Sequence, residues 1–377
     1  MCKDTWLEEK RYRATIHSIS GIGSGKLRQL IARYGSAINA WHSIESTSGL
    51  HKEEPWIQQI GRKRRELNPF EIEEALKEKG IFTVIPEEED YPPLLRELSD
   101  APPLLYYKGH LSIRKEAIAI VGARKSTPYG RAAAEAISKE LAQHDIVVVS
   151  GLARGIDTAA HKGALAGSGI TWAVLGCGLN FMYPPENKKL AEEIIEKSGA
   201  IFSEFMPEMP PEPQLFPMRN RLISGMSRGV VVVEAALKSG ALITVDFALE
   251  QGREVFAVPG PIFSEQSKGS NNLIRQGAKL IEGFKDILPE IPSLQGSQNQ
   301  EKNEEPGQMN RTGTHLEKSL EQEELLEMIS DLPLHIDQIT MNSQLPPEQI
   351  PLTLLELQLA GQIEQLPGQL YVLAHKC

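Results

Sequence analysis

Between Ile118 and Gly260 the chain repeats one unit: a short apolar run, a glycine-bearing turn, then a helix-like stretch. The runs are Ile118-Ala-Ile-Val-Gly122, Ile146-Val-Val-Val-Ser-Gly151, Trp172-Ala-Val-Leu-Gly-Cys-Gly178, Gly229-Val-Val-Val-Val-Glu234 and Glu254-Val-Phe-Ala-Val-Pro-Gly260. A strand with one wet face alternates apolar and polar residues. These runs do not alternate, so they read as parallel strands buried on both faces. The pattern predicts an α/β fold with a doubly wound parallel sheet, in which ligands bind beyond the carboxyl ends of the strands. Ala200-Ile-Phe-Ser-Glu204 reads as another strand, Gly80-Ile-Phe-Thr-Val-Ile85 as an edge strand, and Leu104 to Gly109 as one that joins or flanks the sheet.

The pattern changes on either side. Residues 1–68 read as a small helical domain, residues 69–290 as the sheet domain, 291–313 as a flexible linker and 314–377 as a further domain. In the first, Ile16 to Gly35 places two short helices around Gly21-Ile-Gly23, the outline of a helix-hairpin-helix, whose glycines let a backbone approach and whose second helix can hold a phosphate. A P-loop is excluded, because its spacing needs Gly at Ser20 and Ser or Thr at Leu27. The run Gly61-Arg-Lys-Arg-Arg65 reads as a solvated basic helix face. The linker is rich in Gln, Asn, Glu, Gly and Ser and too poor in apolar residues to bury a core. Beyond it, three amphipathic helices and a hairpin around Pro367-Gly368 outline a winged helix.

Totals sharpen this only in places. At 377 residues two or three domains are expected. The charged start and the lack of a long apolar run make a cytoplasmic protein without a membrane span the default. Cys2, Cys177 and Cys377 lie far apart, which suggests neither a disulfide framework nor a metal site. A net charge of −10 argues against coating nucleic acid with the whole surface, but leaves room for a local basic groove. From Leu316 to Cys377 ten acidic residues stand against Lys318 and Lys376, and the candidate recognition helix, Pro346 to Ala360, has no Lys or Arg. That domain therefore reads as a protein-contact or regulatory module, with DNA contact a minor reading.

The turns after the strands carry the candidate chemistry. The first, Gly122-Ala-Arg124-Lys125-Ser-Thr-Pro128, leads into a helix capped by Ser126 or Thr127 and is an anion site in outline. It lacks the glycines of a dinucleotide fingerprint, and no acidic residue closes the next strand, so a nicotinamide cofactor is not expected. The second turn brings Gly151, Arg154 and Asp157, the last as N-cap, while His161 among alanines reads as a packed residue. The third places Phe181 and Tyr183 near Lys188 and Lys189, the mix of stacking faces and cations that single strands require. Arg219-Asn220-Arg221 at a helix start is better explained by an anion than by packing, and Ser239-Gly240 opens another helix. No catalytic set is laid out by these residues.

An ordered set of motifs then becomes specific. Val121-Gly-Ala-Arg124, Ser150-Gly-Leu-Ala-Arg-Gly-Ile-Asp157, Ala160-His161, Tyr183-Pro184, Ser203-Glu204, Phe216-Pro-Met-Arg-Asn-Arg221, Ser239-Gly240, Leu242-Ile-Thr244, Val258-Pro-Gly260 and Gly277-Ala278 resemble the bacterial DprA, or Smf, family from about Ile16 to Leu288. The resemblance implies an extended Rossmann domain, often with a small helical domain before it and a winged helix after it, and usually a homodimer. It implies a role without catalysis or cofactor: binding and protecting single-stranded DNA in natural transformation, and loading the RecA recombinase onto it. By position, Arg124, Arg219 and Arg221 match the family's DNA-gripping arginines. The residue after Tyr183-Pro184, basic in some members, is Pro185 here, and Lys188 and Lys189 lie close enough to substitute. Two other readings stay open: a nucleotide sensor using the same pocket, and a nucleotide N-glycosidase-like enzyme in which Glu234 and Arg219 share a site.

Overall fold

The protein is described by a computed structural model covering residues 3–44, 54–111 and 115–295, together with 325–326, 328–329, 334–343, 345–346, 349–359, 362–366 and 370–373. It divides into two compact units, Met1–Asn303 and Glu304–Cys377.

The first unit opens with five helices, α1 (Lys3–His17), α2 (Ser24–Tyr34), α3 (Ala37–Ser43), α4 (Pro55–Lys63) and α5 (Pro69–Glu78). Then follow β1 (Phe82–Val84), α6 (Pro93–Arg96), β2 (Leu105–Gly109), β3 (Ala117–Val121), α7 (Pro128–Gln143), β4 (Val147–Ser150), α8 (Ile156–Ala166), β5 (Thr171–Val174), α9 (Lys188–Glu196) and β6 (Ala200–Ser203). The unit continues with α10 (Leu215–Gly225), β7 (Gly229–Val232), α11 (Gly240–Glu250), β8 (Glu254–Ala257), α12 (Lys268–Arg275) and β9 (Lys279–Leu280). The expected strands, together with the short β9, pair into one nine-stranded sheet in the order β1-β2-β6-β5-β4-β3-β7-β8-β9. Strands β3 to β9 run parallel; β2 joins β6 antiparallel and carries β1 as the edge.

The apolar runs are buried on both faces, as their lack of alternation requires. Ile118, Ile120 and Val148 pack with Ile137, Leu141 and Ile156 of α7 and α8 on one side. Ala119, Val121 and Val149 meet Leu222, Ile223 and Val245 of α10 and α11 on the other. The N-terminal helices are not a detached body. Ile16, Leu27 and Ile57 share a cluster with Leu175 and Ile201 of the sheet region and Ile194 of α9.

Chain order reverses at β3: β4, β5 and β6 lie on one side of it, β7, β8 and β9 on the other. The crevice over the carboxyl ends of β3 and β7 is therefore where an open α/β sheet receives a ligand.

In the second unit Ile363–Leu366 pairs with Leu370–Leu373, which also pairs with Leu334–His335, and helices span Ile336–Asn342 and Ile350–Leu359. Their core includes Leu325, Ile339, Leu354, Leu357 and Tyr371. The expected linker begins with a helical turn, Pro292–Gln295. Its remainder, the hairpin tip at Pro367-Gly368, Lys318, Lys376, Cys2 and Cys377 lie outside the described residues. Among the described residues no helix is long and apolar enough to cross a membrane.

Candidate nucleic-acid interface

The β3/β7 crevice is a cleft of about 490 Å³. One wall is the first turn, Val121 to Lys125, and the opposite wall is Ala236 to Thr244; Tyr183, Phe216, Arg219 and Asn220 close the third side. Arg124 and Lys125 are exposed at its mouth. The Arg124 guanidinium carbon lies 5.3 Å from the centre of the Phe216 ring, and that ring lies 5.4 Å from the ring of Tyr183, itself 37% exposed. A cation and two accessible ring faces thus meet at one rim. Across the cleft, Ser239 caps α11 by accepting from Ala241 N–H, and the Asn220 amide donates to Gly240 O. A Cβ at Gly240 would meet nothing, so the helix N-terminus is open to an anion.

Beneath the mouth the polar groups are locked. Arg219 is only 3% exposed, and its Nη1 donates to Gly151 O (2.8 Å) and to Val174 O. Burial lowers its pKa to about 10, so it keeps its charge at neutral pH. Asp157 accepts from Gly151 N–H and Ala153 N–H. Burial raises its carboxyl pKa, and the Arg219 charge opposes that shift. Asp157 is not the N-cap of α8, as the sequence suggests. That position is Gly155, at φ +80°, where a Cβ would also sit 2.2 Å from Ala123 O. The cap of α7 is Thr127.

Glu234 does not pair with Arg219, which removes the shared site that the glycosidase reading needs. It is 1% exposed, and its oxygens accept from Thr127 N–H (2.9 Å) and Thr127 Oγ1 (2.5 Å), fixing the first turn to the end of β7. His161 is the packed residue its setting implies. Thr171 Oγ1 donates to Val148 O, so it accepts from His161 Nδ1, 2.7 Å away.

The structure gathers Arg124, Lys125, Arg219, Asn220, Ser239 and Gly240 at one cleft, with Gly151 directly behind Arg219. Arg221 is the clear departure. It points to the other side of α10, where it pairs with Glu204 and with Asp100 (3.3 Å). Arg154 is exposed but bound to Glu186, and Lys188 and Lys189 lie exposed at the start of α9, none of them lining the cleft. Phe216 was missing from the expected site residues. Its signal was available, since an aromatic residue three positions before Arg219 on a helix shares its face.

Two buried histidines give the folded unit a pH limit. Burial lowers the pKa of His17, beside Tyr106 Oη, to about 4 and that of His161 to about 3, from 6.5. Below 6.5 the unfolded chain takes up protons that the folded one refuses, so stability rises with pH in this window. Acidification below pH 6.5 is expected to cost on the order of 1 kcal/mol per pH unit for each histidine, down to its folded pKa. Melting temperatures between pH 7 and 5 check this, and an unchanged value would contradict it.

Comparison with known proteins agrees with this architecture. The family model of DNA recombination-mediator protein A matches residues 82–292, and that of the DprA winged helix domain residues 311–369. The chain is 39% identical to the protein Smf of Escherichia coli K12 over 85% of this chain and 87% of that protein. It is 43% identical to the DNA processing protein DprA of Streptococcus pneumoniae R6, over 59% of this chain and 79% of that one. The X-ray structure of DprA from Streptococcus pneumoniae superposes with a TM-score of 0.64 at 34% identity, covering 74% of this chain and 98% of that one. A structure of DNA processing protein A from Helicobacter pylori, described for its single-stranded DNA binding mode, gives a TM-score of 0.51 at 30% identity, over 56% and 96% of the two chains. One family model thus spans most of the sheet, a second the winged helix, and relatives match over most of their length: the chain belongs to the DNA recombination-mediator protein A family, also called DprA or Smf.

Proposed function

We propose that the protein binds single-stranded DNA along the β3/β7 cleft, protects incoming strands in natural transformation, and delivers them to the RecA recombinase. The observation that carries the DNA-binding part is the rim itself. Arg124 and Lys125 are exposed beside the Phe216 and Tyr183 rings, opposite the open N-terminus of α11. Cations and helix N–H groups meet phosphates, ring faces meet bases, and nothing there reads base edges, so binding tolerates sequence. Family membership and the Helicobacter pylori protein's single-stranded DNA binding support the ligand. We read the protein as a binder and not as an enzyme. The carboxylates at the cleft are committed to backbone or threonine donors, His161 is buried, and burial holds the Cys177 thiol up at about 11.

Titrating labelled single strands and duplexes at several salt concentrations tests this reading. A single-strand preference that weakens steeply with salt is expected, and equal duplex affinity would sink it. The acidic winged helix has no part in the proposed grip. Deleting Gly313 to Cys377 is therefore expected to leave single-strand affinity within about two-fold. Loss of most affinity, with circular dichroism unchanged, would assign the strand to that domain.

A homodimer is part of the same reading. Ile262, 75% exposed, lines a surface hollow with Leu280 of the edge strand β9, and the next residue, Phe263, is 92% exposed. An apolar surface beside a sheet edge suits a second copy. The double substitution Ile262→Glu and Phe263→Glu is expected to sediment as a monomer where the parent is a dimer. Identical sedimentation of the two proteins would place the interface elsewhere.

A further inference from the structure

A second cleft, of about 410 Å³, opens on the other side of α10, between the first turn of α2 and the end of β6. It shares no lining residue with the first: Arg219 and Asn220 face one, Met218 and Arg221 the other. One of its lining groups is the Glu204 carboxylate, 3% exposed. Arg221 and Ser24 both act on this carboxylate, yet its Oε1 has no hydrogen-bond partner. A buried acceptor left without a donor is unfavourable, and a ligand bringing an N–H relieves it.

Another part of the wall is the start of α2. Its N-cap is Gly23, and no side chain caps it. A Cβ at Gly23 or Gly25 would meet nothing within 4 Å, and neither glycine has positive φ. Neither packing nor backbone conformation demands these glycines. They leave the first-turn N–H groups bare to whatever approaches from outside, and such a terminus favours a phosphate. Phe205, Met206 and Met209 also line the cleft, surfaces that adapt to a flat ring.

We propose that this cleft is a second nucleotide subsite, with a phosphate at the N-terminus of α2 and a base N–H on Glu204 Oε1. All four bases carry at least one such donor, so the subsite has no strict base preference. The inference rests on the strand-binding reading for its main source, the continuation of a strand from the central cleft across α10, a helix about 10–12 Å wide. A free nucleoside monophosphate offers the same chemistry.

The test uses the full chain and Gly25→Glu, whose carboxylate would occupy the bare N-terminus; the open space at Gly25 lets it fold, which a melting temperature verifies. Strands of about 6 and about 20 nucleotides are titrated, and each nucleoside monophosphate is titrated separately. The expected result is that Gly25→Glu leaves the short strand within about two-fold and weakens the long one about ten-fold, while Gly25→Ala stays near wild type. If the wild type binds no strand but binds a monophosphate that Gly25→Glu loses, the subsite stands and the strand reading fails. If Gly25→Glu weakens neither the long strand nor any monophosphate, the subsite is overturned.

Discussion

Arg219→Ala is expected to lower the stability of the sheet-bearing unit by about 3–6 kcal/mol, since two buried hydrogen bonds from a charged group are lost at about 1.5–3 kcal/mol each. For a unit of this size that is a fall in melting temperature of roughly 6–12 °C. The guanidinium joins the carbonyls of Gly151 and Val174, which end two neighbouring strands, and its charge opposes the burial of Asp157. Alanine leaves both carbonyls without this donor and Asp157 without its nearby countercharge. Arg219→Lys is expected to recover only part of the loss, because an ammonium does not reproduce the fork. DNA affinity should fall as well, but as a consequence of a loosened cleft. A melting temperature equal to wild type with a large loss of affinity would make Arg219 a direct DNA contact and refute this assignment.

Arg124→Ala is expected to do the reverse. The side chain is exposed at the mouth, its guanidinium resting over Phe216, and it follows a turn already fixed by Glu234 and Thr127. Removing it should cost about 1–3 kcal/mol of strand affinity, the range for a hydrogen bond to a charged group, and flatten the salt dependence by about one ion. The melting temperature should move by less than about 2 °C, as for a surface substitution. Unchanged affinity with a lowered melting temperature would assign Arg124 to structure.

The contrast between these two arginines marks where sequence reasoning stops. Doubly buried strands were legible because burial on both faces writes itself as unbroken apolar runs, and the position of the cleft followed from the turns after them. Residues two apart on a helix splay apart, so Arg219 and Arg221 must diverge. That spacing could not say which faces the cleft, because that depends on Asp100 and Glu204, which α10 meets only once the chain is folded. Asp157 misled for a related reason. Its place before a helical run resembles a cap, whereas the chain turns at Gly155, where Ala123 O approaches closely, and the helix starts two residues earlier. Nor does a glycine-turned helix pair give any sign in sequence that Ile16 and Leu27 will share a core with Ile201.

A single strand is expected to lie at the carboxyl ends of β3 and β7, between the first turn and the start of α11. Photocrosslinking of a short single strand, about 6 nucleotides long and carrying a photoreactive base, tests it most directly when the attached peptides are sequenced. Attachment is expected at Tyr183 and Phe216, lost when excess unlabelled strand competes. Attachment confined to residues 325–373 of the winged helix, with Tyr183 and Phe216 unmodified, would contradict it.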